Sequence, residues 1–123
     1  MQNVIKTTKE FSALEKIKLN NLDTSSVAKI IKEKESATVS GVNEMFTTTF
    51  IEDNTQQEVT CVILMCDDTN YIVSGSVCVK SLEEIIEAVN ANEITREELH
   101  ALSFKFDKRE SKSGNKFVNM SII

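Results

Sequence analysis

The chain contains no proline and no tryptophan, and only three glycines, one tyrosine and one histidine in 123 residues. With so little proline and glycine there is no flexible linker to divide it. A single domain over residues 1–123 is expected, with residues 1–35 forming a helical extension packed on it. No apolar run approaches the roughly 18 residues of a membrane span. The opening "MQNVIKTTKE" lacks the charged flank and apolar centre of a secretory signal. These absences point to a cytoplasmic protein with no membrane partner.

Catalytic and metal chemistry find little to work with. Cys61, Cys66 and Cys78 are odd in number and belong to no C-x-x-C pair, and His100 stands alone, so a zinc site lacks its ligands. The thiols read as buried and reduced, with Cys61 and Cys66 on opposite faces of a strand. There is no G-x-S-x-G, no phosphate-cradling glycine loop, no H-E-x-x-H and no calcium loop. Asp67 and Asp68 sit in a turn, where Asp bonds the local backbone, while Glu83, Glu84 and Glu87 read as a solvated helix face plus a cap. Neither an enzyme nor a cofactor or metal is expected.

What is present is an order of elements. "TTKEFSALEKIK" offers Thr7 and Glu10 as a capping box, followed by Phe11, Leu14 and Ile17 at helical spacing. "DTSSVAKIIKEKE" offers caps from Asp23 to Ser26 and an apolar stripe of Val27, Ile30 and Ile31. From Ala37 the pattern turns to strand: "ATVSGVNEMFTTTFIE" with Gly41 as a bulge or bend, then "EVTCVILMC" and "YIVSGS" after the polar turns "DNTQ" and "DDTN". A helix follows in "SLEEIIEAVNAN", with Ser81 and Glu84 as a second capping box. Thr95 and Glu98 make a third. "LSFKFDK" and "KFVNMSII" close the chain as a hairpin. The order β-β-β-α-β-β predicts a mainly β (β+α) fold, a five-stranded OB-fold barrel behind two short N-terminal helices.

The closing hairpin is also where the charge is unusual. The chain is acidic, with a formal charge of -5, yet Lys105, Lys108, Arg109, Lys112 and Lys116 fall within one short stretch against Asp107 and Glu110. Alternation places Lys105, Phe117 and Asn119 on the face opposite Phe104, Phe106, Val118 and Met120, leaving Phe117 without a core position. Rings beside cations suit a single-stranded nucleic acid, whose bases stack while its phosphates are neutralised. The same lysines would equally serve to keep an edge hairpin soluble. Phe46 and Tyr71 are further candidate rings. In the polar strand face around Phe46, an apolar side chain is either a binding contact or packing for the N-terminal helices.

The succession "FSALEKIKLN", "ATVSGVNEMF", "EVTCVILMCDDTNYIVSGS", "SLEEIIEAV" and "LSFKFDKRESKSGNKFVNMSI" resembles the single-stranded-DNA-binding proteins of small tailed phages with protein-primed replication in Gram-positive hosts. The most specific piece is "SKSGNKFVNMSI". The acidic turn before tyrosine in "DDTNYIVS" is a second. The resemblance implies a non-catalytic OB-fold that coats displaced strands during phage DNA replication in the host cytoplasm. It implies DNA contacts at Phe46, Tyr71, Lys112, Lys116 and Phe117, with Phe50 nearest to a further aromatic position of that family. Lys105, Lys108 and Arg109 join them from the hairpin. The partner would be single-stranded DNA, with RNA and self-association along the strand left open. The competing reading is a phage-encoded OB-fold protein-interaction module or inhibitor of a host factor.

Overall fold

A computed structural model describes residues 6–19, 21–51 and 54–123. Glu52, at the end of the expected first long strand, and Asp53, which opens the expected "DNTQ" turn, lie outside the described residues. The fold is mainly β with helices. A four-stranded sheet has the order β1-β5-β4-β3 and a three-stranded sheet the order β2-β6-β7. Their ranges are β1 (Ser25–Ser26), β2 (Ser36–Ser40), β3 (Val42–Ile51), β4 (Glu58–Cys66), β5 (Asn70–Ser74), β6 (Ser103–Glu110) and β7 (Lys116–Ile122). The helices are α1 (Ala13–Leu19), α2 (Val27–Lys34), α3 (Ser76–Asn90) and α4 (Arg96–Ala101). None of the described helices is long and apolar enough to cross a membrane.

The first long strand divides at Gly41, which takes φ +70, a left-handed conformation open to glycine. Before the bend β2 pairs with β6, and after it β3 pairs with β4, so one stretch of chain serves both sheets. The Asp67 N–H donates to the Gly41 carbonyl at 3.2 Å and fixes the corner to the β4–β5 turn. The strands β3, β4 and β5 form the expected antiparallel meander. Among the described residues β5 and β7 are not paired, so the two sheets do not close into a barrel.

Between the sheets lies the main core, with Met45, Leu64, Leu82, Ile86, Phe104 and Phe106 among its buried side chains. The period-2 pattern decides who enters it. Val62 and Leu64 of β4 point in, whereas Ile63 points out into a second, smaller cluster with Phe46, Phe11 and Leu19. That cluster exists because the N-terminal segment crosses the outer face of the four-stranded sheet. Residues 6–8 run along the free edge of β3, with Thr8 N–H donating to Met45 at 3.0 Å and Thr47 N–H to Lys6 at 2.7 Å.

Three helix expectations are corrected. The capping box of α1 is not Thr7 and Glu10 but Ser12 and Glu15. Glu15 N–H donates to Ser12 Oγ at 3.2 Å, and Ser12 N–H to Glu15 Oε1 at 3.1 Å. The helix is therefore short, and Leu14 and Ile17 face solvent while Phe11 and Leu19 reach the sheet. Ser81 and Glu84 do not cap α3, which begins five residues earlier behind Gly75. Ser81 Oγ instead donates to the Val77 carbonyl at 3.2 Å inside the helix. Valine and cysteine in "SVCVK" read locally as strand. However, Cys78 extends the buried row of Leu82, Ile85, Ile86 and Val89 by one turn, and burial overrides propensity. The Thr95 and Glu98 box on α4 is present in both halves, and Ser26 caps α2 as expected.

Candidate nucleic-acid interface

The closing hairpin is built by its turn. Ser111 N–H donates to the Asn115 carbonyl at 2.8 Å, and Gly114 N–H to the Ser111 carbonyl at 2.9 Å. Gly114 takes φ +87 as the last residue of a three-residue loop, the position such loops give to glycine. Ser111 Oγ also accepts from Asn115 N–H at 3.1 Å, so the loop that carries Lys112 is held by its own serine. The register that follows pairs Lys105 with Ser121, Asp107 with Asn119 and Arg109 with Phe117 on one face. Phe104 and Phe106 turn to the other and are fully buried. Across β2 the same outer face continues through Ser36, Thr38 and Ser40.

Lys105, Lys108, Lys112 and Lys116 are all exposed, and none is in an ion pair among the described residues. Arg109 Nε lies 3.5 Å from Asp107 Oδ1, an oxygen buried without a hydrogen bond. The contrast with the N-terminal segment is informative. There Lys6 meets Glu87 at 2.6 Å and Glu83 at 3.2 Å, and Lys9 meets Glu15 at 2.6 Å. Arg96 binds Glu44 and the Thr8 carbonyl. Lys6 and Arg96 fasten the segment to the fold and Lys9 braces it internally, whereas the hairpin's ammonium groups are left to solvent.

The other candidate rings are elsewhere. Phe46 is 1 % exposed and receives Phe11 edge-on, with ring centroids 5.4 Å apart and planes at 76°. Its apolar neighbours are the packing partner anticipated as the alternative to binding. Uncovering it would expose Phe46, Phe11, Leu19 and Ile63, each worth about 1.5–3 kcal/mol of burial, against about 1–3 kcal/mol for one stacked base. Burial wins, and Phe46 is not presented to a ligand in this fold. Tyr71 lies opposite Leu64, half-buried against the main core, so it is not a free platform either. Phe50 is 40 % exposed beside Val59 near the far end of β3, on the four-stranded sheet rather than the hairpin's. The structure therefore brings Lys105, Lys108, Arg109, Lys112, Lys116 and Phe117 together on one hairpin and leaves Phe46, Phe50 and Tyr71 on the other sheet.

The remaining polar clusters join elements of the fold. His100 Nε2 stands 2.7 Å from Asp67 Oδ2, and Asn43 Nδ2 donates to Asp67 Oδ1 at 2.8 Å, tying α4 and β3 to the β4–β5 turn. The bonds from Asn43 and then His100 hold the Asp67 carboxyl below its ordinary range. Burial pushes the Cys61 and Cys66 thiols up to about 11, with the Asp67 charge adding at Cys66, so both are neutral at ordinary pH. Among the described residues no three His, Cys, Asp or Glu side chains gather as metal ligands. What sequence reading missed is the clamp of Lys6, Glu44 and Arg96 on the N-terminal segment. These residues are distant in sequence, and no local spacing signals them. No family model matches the chain, and no curated protein or solved structure matches it.

Proposed function

We propose that this protein is a non-catalytic, sequence-tolerant single-stranded-DNA-binding module of OB type, acting as a coat on displaced strands in phage replication. The topology supports the fold reading. Counting β2 and β3 as one bent strand, five strands run in the spatial order third, second, first, fourth, fifth, with α3 and α4 between the third and fourth. The barrel is left open between β5 and β7.

The observation that carries the function is the hairpin itself. Lys105 shares the face of the half-buried Phe117 and its cross-strand partner Arg109, together with Asp107, Asn119, Ser121 and the serines and threonine of β2. Lys112 stands in the turn and Lys108 and Lys116 on the hairpin's other face, and none of the four lysines is in an ion pair among the described residues. Bases would stack against Phe117 while the ammonium groups follow the phosphates. The acidic remainder does not forbid this, because at about 0.15 M salt the screening length is near 8 Å.

The test is anisotropy of a dye-labelled oligo-dT at two salt concentrations, beside a duplex of the same length. With about three to five phosphate contacts the logarithmic salt slope is about −2 to −3.5 on single strands. Lys112→Ala and Lys116→Ala each reduce the slope by about 0.7. Absence of binding at micromolar protein, or a preference for duplex, would reject the proposal.

A further inference from the structure

Alongside the hairpin, α2 and β6 enclose a groove of about 460 Å³ lined by Ile31, Lys32, Glu35 and Lys108. Its floor is Ile31, 5 % exposed and part of the main core. Lys32 and Lys108 stand on its walls, one from each element. Neither Lys32 nor Lys108 is in an ion pair among the described residues, although Glu35 lines the same groove. Glu35 sits just past the end of α2 with φ 71, and its N–H donates to the Ile31 carbonyl at 2.7 Å. The turn it makes carries the chain from α2 into β2, and β2 pairs with β6.

We infer that this groove continues the path of the polynucleotide backbone away from the hairpin, with Lys32 and Lys108 as its phosphate contacts. The inference rests on the single-strand-binding reading above. A free anion has little reason to settle here, since two lysines face one glutamate and the negative end of the α2 dipole. A strand already held at Lys112, Lys116 and Phe117 is different. Its next phosphates reach the groove at high effective concentration, so a weak subsite becomes occupied. Lys108 lines the groove and lies on β6 opposite Val118, on the face of the hairpin that it shares with Lys116 and opposite to that of Phe117, so the polynucleotide backbone reaches the groove by passing from the turn at Lys112 along Lys116 and Lys108. Glu35 then acts as a brake, lowering the affinity of the subsite rather than contributing to it.

The experiment uses the full chain and labelled oligo-dT, comparing wild type with Lys32→Ala, Glu35→Gln, Lys112→Ala and the charge-matched control Lys18→Ala. Lys18 is exposed in α1, on the N-terminal segment over the other sheet. Lys32→Ala is expected to lower affinity roughly two- to fivefold at low salt and the salt slope by about 0.7, with Lys18→Ala silent. Glu35→Gln is expected to raise affinity by a similar factor. If Lys32→Ala and Glu35→Gln behave like Lys18→Ala while Lys112→Ala still weakens binding, the groove is overturned and the hairpin reading stands. If wild type binds no oligo-dT, both fall together. Circular dichroism of each variant separates a binding loss from misfolding.

Discussion

Replacing Phe11 by alanine separates packing from recognition more cleanly than any change on the hairpin. Phe11 is 8 % exposed, and its ring meets Phe46 edge-on within a small cluster completed by Leu19 and Ile63. Truncating a buried Phe to Ala costs about 3–5 kcal/mol, and a small cluster under one short helix can collapse partly, so about 3 kcal/mol is expected here. Of that, about 0.5–1.5 kcal/mol belongs to the ring pair and is the coupling energy a double-mutant cycle with Phe46→Leu should return. Urea unfolding followed by far-UV circular dichroism measures the loss. Oligo-dT affinity, measured where the variant remains folded, should not change. A variant that binds DNA more tightly would refute the reasoning. It would show that the N-terminal segment hides a base platform at Phe46 that a strand can reach.

Gly41→Ala places a Cβ 3.0 Å from Asp67 Oδ2 at a residue with φ +70, so the backbone is strained and the Asp67 carboxylate, which bonds Asn43 and His100, must give by a few tenths of an ångström. A loss of about 1–2 kcal/mol is expected, and an unchanged melting temperature would sink the account. Acidification should loosen α1. The bond from Lys9, then that from the Ser12 backbone, holds the Glu15 carboxyl at about 2 against an ordinary 4.5, so its contribution is present above 4.5 and lost as pH falls towards 2. Amide exchange across Ala13–Leu19 should accelerate in that window, and Glu15→Gln should abolish the pH dependence.

Much of the fold was legible because its signals are local. Thr95 and Glu98 cap α4 as their spacing says, Gly41 bends the strand, and the alternation along β6 and β7 sorts Phe104 and Phe106 inward. Where sequence reading failed, the deciding contacts came from far along the chain. Parity placed Phe46 on the outer face of its strand correctly, but parity cannot say what covers that face. Phe11 and Leu19 do. Tyr71 reads in the sequence as a candidate stacking ring, and its register opposite Leu64 turns it to the core. The start of α3 was missed because valine and cysteine favour strands in isolation. Their helical row becomes visible only once the buried face beneath it is known. In the candidate site, the hairpin cations are legible as a charge anomaly, whereas Lys32 in "KIIKEK" carries no mark of the groove it lines.

The corner at Gly41 also sets the order in which the molecule can assemble. On one side of it lie β3, β4 and β5, neighbours in sequence joined by short turns, whose pairing closes only small loops. On the other side β2 must wait for β6, because Ala37 meets Phe106 across most of the chain. Closing so long a loop is slow unless the intervening elements have already condensed. The expected order of assembly is therefore the meander and α3 first and the β2–β6 pairing last, and until it forms the β6–β7 hairpin has no strand beside β6. During that interval Phe104 and Phe106 are uncovered and the inner edge of β6 is open to a second chain. The exposed lysines of the hairpin repel a like-charged copy at that moment, a service to solubility independent of any ligand.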